Sequence, residues 1–178
     1  MGRSAQRRGC RLLLLVWLLI LPYPGRSPAD DDQEIFHWVA RHMKIDNPGR
    51  MPQILYVSRD RLGMVFEKNN RRSYLRWRAR YGELQARKIL TLCLRNILGL
   101  YDPDTGTVYV AEDLVVCQQR SILAHELAHF LQYQSTSTIK QPESAAYAQR
   151  LQRETQAHQI EYLYLQSHCP AGTVGKAK

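Results

Sequence analysis

The chain has 178 residues, 44% hydrophobic and 23% charged, a size and balance that suit one globular domain and exclude a disordered chain. The formal net charge of +9 would favour an anionic partner, but Arg3, Arg7, Arg8, Arg11 and Arg26 all belong to an N-terminal segment that reads as a leader. Without it, 20 basic residues face 16 acidic ones, a net charge of +4 that is too mild to carry nucleic-acid binding as the function.

The leader is read from its order. Arginines in Met1–Arg11 precede the unbroken apolar run LLLLVWLLIL from Leu12 to Leu21, and Pro22, Pro24, Gly25 and Pro28 break it before the small residues around Ala29. The pattern predicts a signal peptide over residues 1–29, a domain over 30–168 and a flexible tail over 169–178, and hence an exported protein. The run is short for a membrane span, so contact with a membrane is expected only if the leader stays uncleaved as an anchor. Cys10 precedes the run and cannot be a lipoprotein acylation site at its end. Of the three remaining cysteines, Cys93 and Cys117 flank a predicted strand and are the preferred disulfide, with Cys169 in the tail; three unpaired thiols are the alternative.

In chain order, Asp30, Asp31, Asp32 and Glu34 precede the amphipathic stretch IFHWVARHM, which predicts a helix with acids at its N-terminus. Asn47, Pro48, Gly49 and Pro52 end it. Ile54–Val57 reads as a strand and Met64–Phe66 as a weaker one. Arg71–Leu94 reads as one long helix, with Tyr74, Trp77, Tyr81 and Leu84 as a packing stripe and Arg72, Arg76, Arg80, Glu83 and Arg87 on the solvated face. The same arginines could instead serve an anionic surface. Leu98–Tyr101, the turn residues Asp102-Pro103-Asp104-Thr105-Gly106, and Thr107–Val110 predict a hairpin. A helix over 114–133 follows, then a polar loop over 135–141. A last helix opens at Pro142 and runs to about Ser167.

Chemistry concentrates in SILAHELAHFLQY. His125 and His129 are four apart, so a helix projects both from one face towards a single tetrahedral ion. Glu126 points sideways, placed to exchange a proton with water activated by that ion. Leu123, Ala124, Leu127, Ala128 and Leu131 are apolar or small, so the helix is buried and its polar groups need partners. A third ligand is required. Gln132 and Ser135 stand where a metzincin needs glycine and histidine, which excludes that class. Glu143 and Glu154 are the candidates, with His158 behind them. Tyr133, Tyr147, His158 and Tyr162 are available to stabilise an oxyanion.

The segment His125-Glu-Leu-Ala-His129-Phe-Leu-Gln132, the preceding Leu98–Tyr101 and Thr107–Val110, and the downstream Glu154, Ala157, His158 and Tyr164-Leu165 resemble gluzincin metallopeptidases. Among these they are similar to small bacterial exported proteins with a HELxHxLQ core. The resemblance implies a zincin-like fold, Zn2+ held by His125, His129 and Glu154, Glu126 as the catalytic base, and a periplasmic or secreted location. Glu143-Ser-Ala-Ala-Tyr147 fits the first half of the downstream pattern but lacks the later pair. The expected architecture is a small α+β domain, mostly helical, with a short strand hairpin before the motif helix and the metal between that helix and the last one. The expected activity is zinc-dependent hydrolysis of peptide bonds in a peptide or protein substrate. A non-catalytic zinc-binding exported domain and a basic envelope-interaction module are the alternatives.

Overall fold

The computed structural model describes residues 28–135 and 143–169. The expected leader up to residue 27, most of the polar loop, Pro142 and the tail after Cys169 lie outside the described residues. Along the chain run α1 (Pro28–His42), β1 (Gln53–Val57), α2 (Arg59–Tyr81), α3 (Glu83–Asn96), β2 (Gly99–Asp102), β3 (Thr107–Ala111), α4 (Val116–Gln134) and α5 (Glu143–His168). This is a small, mostly helical α+β domain whose compact unit begins at Asp32. Among the described residues no helix is long and apolar enough to cross a membrane.

The sheet has the order β1-β3-β2. The middle strand β3 pairs in parallel with β1, Ile54 opposite Val108, and antiparallel with β2, Tyr101 opposite Val108 on its other side. All five residues of β3 are buried, which fits a strand covered on both faces. Strand alternation divides them between two cores. Val108 and Val110 join the larger core, formed with Phe36 and Val39 of α1, Leu123, Leu127 and Leu131 of α4, and Ala157 and Ile160 of α5. Tyr109 and Ala111 face Leu62 and Val65 of α2. The hairpin between β2 and β3 is closed by Asp102, whose carboxylate accepts from the Asp104 amide and the Thr105 hydroxyl, both at 3.0 Å, while its carbonyl accepts from the Gly106 amide at 2.9 Å.

Three local expectations are corrected. The long helix over 71–94 is two helices. Ser58 caps α2 by accepting from the Arg61 amide, so the helix begins at Arg59, and Met64–Phe66 is helical rather than extended because Leu62 and Val65 face the sheet at helical spacing. Gly82, with φ of +80°, ends α2 and starts α3. Nothing lies within 4 Å of where its Cβ would be, so glycine is required there by backbone conformation and not by space. Helical phase restarts at this elbow. The stripe counted across it therefore does not form one buried face: Tyr81 is 50% exposed and Leu84 67%. The third correction is the disulfide, which joins Cys117 to Cys169 and leaves Cys93 free and half-buried. Helices α4 and α5 are antiparallel neighbours, so the first turn of one meets the end of the other, whereas Cys93 sits on α3, which packs against α2.

Candidate metal centre

Helix α4 is buried on nearly every side, which forces its polar side chains to find partners inside the protein. One helical turn separates His125 from His129, and their Nε2 atoms lie 3.1 Å apart. Across from them, α5 brings Glu154 with Oε2 at 3.4 Å from His129 Nε2 and 3.9 Å from His125 Nε2. Zinc bonds of about 2.0–2.1 Å at tetrahedral angles would put ligand atoms roughly 3.3 Å apart, and the three separations bracket that value. The donor set, two imidazoles and one carboxylate, suits zinc, so the residues fit the ion that the sequence implies. Glu143 opens α5, eleven residues before Glu154 and so roughly 16 Å away along a helix rising 1.5 Å per residue; its side chain lies outside the described residues.

Behind the three donors stands a second set of contacts. His125 Nδ1 lies 3.2 Å from Glu161 Oε2, and His129 Nδ1 lies 3.0 Å from Gln132 Oε1. Both partners are acceptors, so each Nδ1 carries the proton and each Nε2 presents its lone pair to the shared point. Gln132 is itself fixed, its amide donating to the Arg153 carbonyl and to Gln156 Oε1, each at 3.0 Å. The same oxygen of Glu161 also lies 3.2 Å from Nδ1 of His158, whose ring is 4.6 Å from that of His125. His125, His158 and Glu161 are thus a second group of ligand-type atoms. With the His125 proton committed to Glu161, this group reads as hydrogen-bonded support for the first.

Glu126 is only 7% exposed and does not reach the three converging donors. Its Oε2 accepts from the Tyr101 amide at 2.8 Å. Leu98 is bound to Ala111 across the hairpin, so the alternate residues Gly99 and Tyr101 turn their backbone groups away from β3 and towards α4. The approach is close. A Cβ at Gly99 would lie 2.6 Å from Ile122 Cγ2, 2.8 Å from Glu126 Cγ and 2.9 Å from Glu126 Oε1, so only glycine lets β2 pass over the motif helix.

The two carboxylates are pushed in opposite directions. Burial raises the Glu126 carboxyl above its ordinary value, with His125, His129 and the Tyr101 amide pulling back only in part. The contact with His129 holds Glu154 below the usual carboxylate range against some desolvation. Burial also opposes the charge on Glu161, but its bonds to His125 and His158 outweigh it and lower the group. Burial likewise works against a charged His129, and the contact with Glu154 and the charge of Glu126 overcome it and raise the imidazole.

The centre opens into a cleft of about 910 Å³ lined by both motif histidines, Glu126, Glu154 and His158, and walled by Gly99, Leu100 and Tyr101 of β2. Of the oxyanion candidates, Tyr133 and His158 line this cleft; Tyr147 and Tyr162 do not and are exposed. Sequence reading missed Glu161, Gln132, Gly99 and Tyr101 as parts of the site. Glu161 stands seven residues after Glu154 and three after His158, and Gln132 three after His129, so helical spacing carried a signal for both. For Gly99 and the Tyr101 amide there was none, since their role depends on how the sheet lies on α4.

No curated protein and no solved structure matches the chain. A family model described as "Putative metallopeptidase family (DUF6782)" matches residues 70–160, from the second half of α2 through the stretch of α5 that carries Glu154 and His158. The match covers half the chain and all three converging donors, and the chain belongs to this family.

Proposed function

We propose that the protein is an exported, zinc-dependent peptidase of the gluzincin type, with His125, His129 and Glu154 as zinc ligands and Glu126 as the general base. One observation carries the reading: two imidazole Nε2 atoms and a carboxylate oxygen from the next helix converge at tetrahedral ligand spacing, with a buried carboxylate beside them. Zinc, when bound, supplies Lewis acidity towards water and a peptide carbonyl. Glu126, whose environment favours the protonated form more than an ordinary carboxylate's does, takes a proton from the attacking water and returns it to the leaving amine. Glu154, held as an anion, serves as ligand. Glu161 and Gln132 fix the ring planes of His125 and His129. Tyr133 and His158 line the cleft, and we take them as the candidates for donating to the developing oxyanion.

Export is supported by the leader pattern of residues 1–29 and by a disulfide between Cys117 and Cys169, a bond that persists in oxidising compartments. Digestion of a peptide library by the zinc-loaded protein and its Glu126→Gln variant tests the activity. Cleavage by the parent that falls about a thousandfold in the variant is expected from loss of the base. Equal cleavage by both would remove Glu126 from the mechanism, and zinc binding without any cleavage would leave the non-catalytic alternative.

A further inference from the structure

Helix α2 runs on past the sheet. Its buried residues are Leu62 and Val65, and α3 buries Ala86, so the stretch from Val65 to Tyr81 extends for about 24 Å with no further buried residue. Named contacts fix which sides of α2 are taken. Leu62 and Val65 face the sheet. Gly63 and Tyr74 mark the side of α3: a Cβ on Gly63 would lie 3.5 Å from Leu94 Cδ2, and the Tyr74 hydroxyl donates to Glu83 at 2.8 Å. At about 100° per residue, the face left over is centred on Met64, Lys68, Arg71, Leu75 and Arg78, a four-three repeat about 21 Å long. All five are exposed, Met64 by 63% and Leu75 by 44%. Phe66, the residue of α2 that lines the cleft, stands on the opposite side of the helix.

Charge singles out these two helices. From Arg59 to Asn96, eleven Lys and Arg stand against Asp60, Glu67 and Glu83, a net charge of +8, whereas the rest of residues 27–178 holds nine basic and thirteen acidic residues. Lys68 and Arg71 make no ion pair among the described residues, and Arg78 shares Glu83, at 3.9 Å, with Arg87, at 2.7 Å. We propose that this outer face of α2 docks on an anionic lipid surface. Lys68, Arg71 and Arg78 meet the lipid phosphates, and Met64 and Leu75 enter the boundary between headgroups and acyl chains. Long basic stems suit that depth, since they lie along apolar surface while the charge stays in water. A nucleic acid fits less well. Its phosphates would leave both apolar side chains in water, and Tyr74 and Trp77, which could stack on bases, are half-buried on other sides of the helix. This contact depends neither on the leader nor on the peptidase reading. It leaves the cleft, on the far side of α2, open to substrates beside the membrane.

The test is cosedimentation of the full chain with vesicles of phosphatidylcholine, pure or with about 30% phosphatidylglycerol, in about 0.1 M salt. The leader is common to parent and variants, so the ratio of their affinities reports the outer face of α2. Lys68→Gln, Arg71→Gln and Arg78→Gln combined should weaken binding to the anionic vesicles about a hundredfold, near fivefold per charge. Met64→Ser with Leu75→Ser should weaken it about five- to tenfold. The charge-conserving set Lys68→Arg, Arg71→Lys and Arg78→Lys should bind within about twofold of the parent. Unchanged binding by the triple Gln variant, or an equal loss in the charge-conserving one, would overturn the proposal. So would a loss on removing the charges but not the two apolar side chains, with the parent binding a single-stranded oligonucleotide as tightly as the vesicles. His129→Ala should bind vesicles as the parent does, whether or not the parent cleaves peptides; a marked loss there would tie binding to the metal centre and contradict a separate surface.

Discussion

Glu126, the proposed base, is at the scale of one residue a charged group that stability alone would not keep where it stands. Its carboxylate is buried beside two histidines and accepts a hydrogen bond from the Tyr101 amide. Because burial raises its folded-state value above the unfolded one, the fold favours the protonated acid, and ionisation costs stability as pH rises from the unfolded value through the raised folded one. Glu126→Gln keeps an acceptor for Tyr101 and removes the charge. Metal-free variant protein should therefore melt about 3 °C above the parent near pH 7.5, and the gain should shrink near pH 4.5, where the parent's acid is largely protonated. A variant that melts lower than the parent at both pH values would contradict this account of the site. Gly99 is the complementary case. Gly99→Ala places a methyl under 3.0 Å from Ile122 and Glu126, so either β2 lifts or Glu126 moves. The expected result is a destabilisation of about 1–3 kcal/mol by overpacking and a fall in kcat/KM of about tenfold or more, with zinc affinity largely kept, since the atoms the methyl meets first belong to Ile122 and Glu126 and not to the proposed ligands. Unchanged kcat/KM would show that the cradle does not position the base.

At the scale of elements, what could be read from sequence was what depends on local spacing. The i,i+4 histidines and the apolar surround of α4 are written within one helix, and the turn residues Asp102–Gly106 specify the hairpin without outside help. Helix breaks were harder. Gly82 sits inside a strongly helical pattern, and its left-handed conformation cuts the segment in two. The Arg71–Leu94 reading also began twelve residues late, because the charged start of α2 hid a cap at Ser58. Pairings between elements were the least legible. Cys93 and Cys117 seemed natural partners along the chain, but the antiparallel seating of α4 and α5 joins Cys117 to Cys169, with Cα atoms 5.8 Å apart. Peptide mapping without reduction should recover Cys117–Cys169 as the linked pair and Cys93 as an alkylatable thiol. Replacing the pair by serines should cost about 2–4 kcal/mol, given that the bond closes a span of 52 residues. A mapped Cys93–Cys117 bond would contradict the seating of the last helix.

At the scale of the whole molecule, three layers converge on one line of chemistry. The sheet presents β2 to the motif helix and pins Glu126; α4 supplies two imidazoles; α5 returns antiparallel to supply Glu154 and the carboxylate that holds His125. The resemblance pointed to Glu154 over Glu143 through the downstream pattern, and the fold brings Glu154 to the histidines across the α4–α5 interface. Arg72, Arg76, Arg80 and Arg87 of α2 and α3 lie on the surface, where Glu83 pairs with Arg87 at 2.7 Å, and do not line the cleft. Zinc binding by single-ligand variants tests the central claim most directly. Metal analysis after equilibration with zinc should find about one ion per chain in the parent and in Glu143→Ala, and an affinity at least about a hundredfold weaker in Glu154→Ala and His129→Ala. No bound zinc in the parent, or a loss in Glu143→Ala with Glu154→Ala unaffected, would contradict the account.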